Sequence, residues 1–212
     1  MSGNDRLNGR DGGAPGALLV IISGPSGVGK DTIIEGLRRR PGTRDAHYVI
    51  TCTTRARRPG EVDGVSYFFL PREEFAARRE AGAFLEANEV HGNWYGTPRQ
   101  QVRDALATGR DVILKIDVQG AQAVKEAVAD ASLIFVVPPS LEDLFQRLRA
   151  RATESVDELE LRQRNAAIEL AHQDHYDYVV TNETGQVERT VDRIEEIIAD
   201  EHRQHPRRRI RV

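Results

Sequence analysis

The chain is poor in sulfur: Cys52 is its only cysteine, so no intramolecular disulfide can staple it. A lone cysteine fits a reducing compartment such as the cytosol. Long apolar runs are missing too, and stretches such as Ala17–Ile22 are far too short to cross a bilayer. The N-terminus lacks the apolar stretch of a secretory signal. Neither sign of charge dominates. A net charge of −3 gives no global drive toward nucleic acid or an anionic membrane, so neither is expected as a partner and any anion site must be local. The six histidines, His91 among them, show no metal-ligand spacing. What is left is an ordinary composition, 39% hydrophobic and 30% charged, in 212 residues. That is enough for one domain with a sizeable core.

Residues 1–16, MSGNDRLNGRDGGAPG, offer almost nothing to bury and read as a disordered tail. At the other end, Arg203, Arg207, Arg208, Arg209 and Arg211 surround Pro206, and 203–212 reads as a solvated basic tail. Between the tails, apolar runs alternate with helical patterns. Strands are expected at 17–22, 47–51, 111–116, 132–137 and 176–180, and helices at 31–40, 98–108, 119–129, 140–151, 156–173 and 186–202. Ser140 with Asp143 resembles a capping box. Such alternation favours an α/β fold, a parallel sheet with helices on both faces. The stretch 51–97 breaks the rhythm with an Arg-rich loop, the strand-like VSYFFL at 65–70, a helix at 72–81 and aromatics at 94–95, so it reads as an inserted α+β lobe. The Arg- and Glu-dense stretch 141–164 reads as a small mobile helical lid. The core is then 17–50, 98–140 and 165–202.

One motif carries chemistry in its proper context. Gly24-Pro25-Ser26-Gly27-Val28-Gly29-Lys30 follows the first strand and opens the first helix, a GxxxxGK phosphate loop. Glycines let backbone N–H groups wrap a β-phosphate without Cβ clashes, the helix N-terminus adds partial positive charge, and Lys30 adds a full one. The Ser or Thr that normally follows the lysine to hold Mg²⁺ is replaced by Asp31, with Thr32 next. Asp31 is therefore the candidate metal contact, through water, for the Mg²⁺ that accompanies ATP.

TCTTRARRPGEVDGVSYFFL (51–70), FLEANEVHGNWYGTPR (84–99) and ILKIDVQGA (113–121) resemble, in order, the guanylate kinase family of phosphate-loop nucleoside monophosphate kinases. The resemblance runs from about 17 to about 200 and implies a core with a five-stranded parallel sheet, a GMP-binding lobe and a lid. It implies transfer of the γ-phosphoryl group of ATP to GMP, and to dGMP because no reader of a 2′-hydroxyl is evident. It also implies a cytoplasmic enzyme, either monomer or homodimer. Carried over by position, Arg55 and Arg58 hold the GMP phosphate, joined by the hydroxyls of Tyr67 and Tyr95, with Glu61 beside them. Glu86 and Asp117 read guanine, and Thr51 and Thr97 stand near the base. The chemistry agrees, since a phosphate dianion wants bidentate guanidinium donors and guanine presents N1–H and a 2-amino group for carboxylates to accept.

In QRLRARATES and ELRQR, Arg147, Arg151 and Arg162 resemble lid arginines that contact the transferring phosphoryl group, where charge spreads and no protein nucleophile is needed. Asn182 matches a residue near the adenine of ATP. Lys115 stands where the family usually has Asp or Glu, and Asp31 where it has Ser or Thr. Lys115 and Asp117 are two apart on a strand and share a face, so Lys115 is expected beside the phosphate loop, paired with Asp31. Two other readings use the same scaffold. A ribose 1,5-bisphosphate kinase shares the GKDT loop but has no use for Glu86, Asp117, Thr51 and Thr97, whereas a non-catalytic phosphopeptide-binding module has no use for Lys30 and the lid arginines.

Overall fold

The apolar run at the start of the folded chain is buried from both sides, and the architecture follows from it. The computed structural model describes the backbone of residues 16–90, 92–151 and 156–212, and the side chains of these except 151, 156–160 and 162. In chain order the elements are β1 (Leu19–Ser23), α1 (Lys30–Leu37), β2 (His47–Tyr48), β3 (Cys52–Thr53), β4 (Phe68–Phe69), α2 (Arg72–Glu80), β5 (Phe84–Val90), β6 (Asn93–Pro98) and α3 (Arg99–Ala107). They continue with β7 (Val112–Lys115), α4 (Val118–Ala127), β8 (Ser132–Val137), α5 (Leu141–Arg151), α6 (Val156–Leu170), β9 (Tyr178–Thr181) and α7 (Val187–Gln204). Five strands form an all-parallel sheet in the order β2-β7-β1-β8-β9. The expected parallel α/β core is present.

Along β1 and the residue before it, Leu18, Val20 and Ile22 face one apolar cluster and Leu19 and Ile21 the other, each 0–1% exposed. The first cluster takes in Ile33 and Leu37 of α1, Leu144 and Leu148 of α5, and Val191, Ile194, Ile197 and Ile198 of α7. The second takes in Val102 and Leu106 of α3 and Ala121 and Val124 of α4. A strand with helices on both faces has no polar side, hence the unbroken apolar run. Among the described residues no helix is long and apolar enough to cross a membrane.

The stretch between β2 and α3 builds a separate four-stranded sheet, β4-β3-β6-β5, over Phe75 of α2. Two strands are shorter than their sequence suggests. At 65–70 only Phe68–Phe69 pairs, because the N–H groups of Val65 and Ser66 bond the Val62 carbonyl and fold 62–66 into a turn. At 47–51 pairing ends early, because the N–H and carbonyl of Ile50 are taken by the side-chain amide of Gln101. Ser140 does cap α5, its Oγ accepting from the Asp143 N–H at 3.0 Å.

The C-terminal segment departs from the expected solvated tail. α7 extends to Gln204, and the chain then turns back so that Ile210 is 1% exposed in the second apolar cluster. Arg208 Nη1 donates to Glu201 Oε2 at 2.6 Å and to Ser132 Oγ at 2.9 Å. Its carbonyl accepts from the N–H of Gly16, so that last residue of the expected N-terminal tail is held, while 1–15 lie outside the described residues. The reason is local. A single isoleucine and one buried carboxylate partner outweigh the solvation of the flanking arginines. Arg208→Ala should lower unfolding stability by about 1–3 kcal/mol, because Glu201, 5% exposed, keeps its charge and loses its only ionic partner among the described residues. Urea unfolding of the two proteins checks this, and equal midpoints would show that the segment contributes nothing.

Candidate active site

The phosphate loop is bent by two positions that only glycine tolerates. Gly24 has φ 140°, and a Cβ there would lie 2.3 Å from the Val136 carbonyl oxygen. Gly29, at φ 105°, caps α1 and would place a Cβ 2.5 Å from Asn182 Nδ2. From α1, Lys30 reaches back across the loop and donates to the carbonyls of Gly24 at 2.6 Å and Pro25 at 3.1 Å. Burial pushes its ammonium below the usual lysine range, against the pull of Glu169. The N–H of Ser26 donates to Glu169 Oε2 at 3.1 Å, so a carboxylate from α6 sits on the loop that is shaped for phosphate.

Asn182 and Arg147 hold this loop from beneath and do not line the cleft. Asn182 is 6% exposed, gives its Nδ2 to the Val28 carbonyl at 2.8 Å and accepts from Thr190 Oγ1. Its carboxamide thus ties the loop to α7 in this structure. Arg147 donates to the carbonyls of Val28 at 3.2 Å and Asn182 at 2.9 Å and to Thr184 Oγ1 at 2.8 Å. In this structure it braces the loop from α5. Arg151 and Arg162 fall on α5 and α6, and their side chains lie outside the described residues. So do His91 and residues 152–155 of the lid segment.

A cleft of about 610 Å³ joins the phosphate loop to the four-stranded sheet. Gly24, Ser26 and Lys30 line one end, Arg55, Arg58, Tyr67 and Tyr95 the other, and Thr51, Glu86, Lys115 and Asp117 line it as well. Arg55 Nη2 donates to Glu61 Oε1 at 2.7 Å, and Glu61 Oε2 accepts from the Arg58 N–H at 2.8 Å. Glu61 is therefore the clip that fixes both arginines. Burial raises its carboxyl pKa, but the Arg55 and Arg58 bonds outweigh this and leave it below the usual range. The Arg55 guanidinium lies 5.5 Å from the Tyr67 ring centroid, and the Tyr67 and Tyr95 rings meet edge to face at 6.1 Å.

Deeper in, Glu86 is 7% exposed. Thr97 Oγ1 donates to its Oε1 at 2.6 Å and Asn88 Nδ2 to its Oε2 at 2.7 Å. Thr97 is 0% exposed, and its hydroxyl is turned to Glu86. Desolvation, aided by the nearby Asp117 and opposed by Thr97, pushes the Glu86 carboxyl up to about 7. Asp117 caps α4 by accepting from the Gly120 N–H at 2.9 Å. At the loop, Lys115 Nζ contacts Asp31 Oδ1, the pairing expected from the strand register. Thr32 is exposed beside it.

Two residues of the site escape sequence reasoning. Asn88 shares a strand face with Glu86 and was in principle readable from that spacing. Glu169 is 143 residues from Ser26 and carries no local signal.

A phosphate-gripping loop at the end of a parallel strand, facing a second anion site of two arginines and two tyrosines, defines a phosphate-loop kinase of the α/β class. The chain belongs to the guanylate kinase family, whose model matches residues 17–201. It is 49% identical over 170 residues to the guanylate kinase of Symbiobacterium thermophilum, covering 80% of this chain and 79% of that one. It is 45% identical over 185 residues to that of Halalkalibacterium halodurans, covering 87% and 89%. The crystal structure of guanylate kinase from Anaplasma phagocytophilum superposes with a TM-score of 0.72 at 33% identity, covering 89% of this chain and 87% of that one.

The raised Glu86 pKa has a consequence for stability. Between the model-peptide value of 4.5 and about 7, the folded carboxyl keeps a proton that the unfolded chain has lost. The stability this group contributes is full below pH 4.5 and is lost as pH rises through 7. Relative to Glu86→Gln, which stays neutral, the ligand-free protein should lose up to about 3 kcal/mol between pH 5 and pH 7.5. Urea melts of both proteins at the two pH values measure it, and a pH-independent difference would place Glu86 in an ordinary carboxylate environment.

Proposed function

We propose that this chain transfers the γ-phosphoryl group of MgATP to GMP, giving ADP and GDP. The observation that carries the reading is the single cleft in which a phosphate loop faces Arg55, Arg58, Tyr67 and Tyr95 with the buried Glu86 and Asp117 beyond them. An oxygen of the GMP phosphate attacks the γ-phosphorus, and the bond from that phosphorus to the β,γ-bridging oxygen breaks, leaving ADP. No protein nucleophile takes part. The protein aligns two anions and neutralises charge as it spreads over the transferred group.

Each described residue has one task. The loop amides and Lys30 take the donor phosphates, for which Glu169 must leave the Ser26 N–H. Arg55 and Arg58, clipped by Glu61, take the acceptor phosphate together with Tyr67 and Tyr95. Thr51, 6% exposed at the cleft wall, stands near the base. Ionised Glu86, steadied by Thr97 and Asn88, accepts from guanine with Asp117 beside it. A base-free sugar phosphate would leave that pair without a partner. Mg²⁺ enters with ATP as substrate, and the 73%-exposed Asp31 is the carboxylate placed to hold it through water. Arg151 and Arg162 supply the lid's cations, and closure over the substrates excludes water. dGMP serves as a second acceptor.

The test is ADP production with ATP, Mg²⁺ and GMP, dGMP or AMP. GMP should exceed AMP in kcat/KM by about 10²–10⁴, because adenine leaves a buried carboxylate unpaired. KM for GMP should climb as pH falls below about 7, where Glu86 gains its proton, while KM for ATP stays level. Equal use of AMP and GMP sinks the reading.

Glu169 offers a second check. With its charge removed by Glu169→Gln, an ATP analogue should bind several-fold more tightly in calorimetry, since like-charge competition at Ser26 is gone. Unchanged or weaker affinity would show that the carboxylate does not compete with phosphate.

A further inference from the structure

Lys115 ends β7 opposite Ile22 of β1, so its side chain emerges where the strand next to it enters the phosphate loop. Its ammonium contacts Asp31 on the first turn of α1 and stands 5.3 Å from the centroid of the Tyr67 ring. It lines the cleft between the donor end, Gly24, Ser26 and Lys30, and the acceptor end, Arg55, Arg58 and Tyr67. A phosphate loop normally carries a neutral hydroxyl after its lysine. Here that place holds a carboxylate, which alone would repel a polyphosphate. The Asp31 side chain is 73% exposed and that of Lys115 23%, so water screens the pair from the Asp31 side, whereas two phosphates brought into the cleft present far denser negative charge. A lysine on a flexible four-carbon stem is able to move from one to the other.

We propose that Lys115 is a phosphate-binding residue that bridges the donor and acceptor phosphates, parked on Asp31 until both substrates are present. The assignment rests on the ATP-to-GMP reading and adds to it a cation that belongs to neither subsite alone. A bridging cation differs from a merely structural one in a measurable way. It couples the two ligands, because its full contact exists only when both are bound.

The experiment is calorimetry of GMP binding with and without a saturating non-hydrolysable MgATP analogue, alongside kcat, on the wild type, Lys115→Met, Lys115→Arg, Asp31→Ser and the double variant Asp31→Ser/Lys115→Met. In the wild type the analogue should tighten GMP binding at least tenfold. Lys115→Met should abolish that coupling and lower kcat about 100-fold, with the affinity for GMP alone changed less than about threefold. Lys115→Arg should restore most of the coupling, which separates loss of the cation from a folding defect. Asp31→Ser should weaken binding of the analogue itself but, once saturated, still show the coupling, and the double variant should lose no more of it than Lys115→Met does. Full coupling and a kcat within threefold of wild type in Lys115→Met would overturn the proposal, and so would a wild type without coupling. A wild type that makes no ADP from ATP and GMP is a different result, visible before any variant is made, and it removes the functional reading itself.

Discussion

The carbonyl oxygen of Val28 is the joint on which the phosphate loop hangs. It accepts from Asn182 Nδ2 at 2.8 Å and from Arg147 Nη1 at 3.2 Å. Asn182 follows β9, its other side-chain atom is taken by Thr190 of α7, and its N–H bonds the end of β8. Arg147 comes from α5. One peptide group of the loop is therefore fixed by three elements of the core, all far from it in sequence. A backbone carbonyl on a glycine-rich loop has no intrinsic reason to stay in one orientation, because glycine leaves many open. Two donors on it, one nearly fully buried, remove that freedom before any ligand arrives. This is pre-organisation of the amides on the other side of the loop, and it explains why Gly29 is so close to Asn182 that a Cβ has no room.

The second constraint is the low-dielectric floor under Glu86. A carboxylate that is 7% exposed, with neutral donors from Thr97 and Asn88 but no ion pair among the described residues, is poorly satisfied as an anion. Its pKa of about 7 measures that deficit. Under the proposed reading the same deficit gives the site its discrimination, since a ligand with two N–H donors satisfies what water and the protein do not. Selectivity and a stability penalty thus arise from one buried oxygen pair. The acceptor arginines are treated in the opposite way. Arg55 sits against Glu61 and two aromatic rings, so its charge is held ready and compensated while the phosphate is absent.

Legibility in the sequence followed the range of the forces involved. β1, β7 and β8 read directly because burial on both faces demands an unbroken apolar run. α5 read from Ser140 and Asp143, a contact three residues long. The short strands did not, because the Ile50 backbone pairs with the distant Gln101 side chain and the Val62 turn outcompetes a strand-like composition. The C-terminal segment misled because five arginines hide a single buried isoleucine and one ion pair. At the site, the phosphate loop, the arginine pair and Glu86 were all visible as residue types. For Asn182 and Arg147 the carried-over position came without its surroundings, and the structure adds bonds to the loop itself that the position alone could not give.

Asp31 and Lys115 are the instructive case between these extremes. They lie 84 residues apart, yet the contact was deducible. The strand period put Lys115 on the face of Asp117, the family resemblance put that face in the cleft, and two departures from the family pattern, an acid and a base, were left to pair. What periodicity could not supply was the third neighbour, Tyr67, which comes from the other sheet and brings Lys115 within reach of the acceptor end. A residue read from sequence as a local charge balance becomes, once the two sheets are docked, the only lysine besides Lys30 lining the cleft among the described residues. Position on a strand tells which charges meet. The docking of one sheet on another decides what those charges are for.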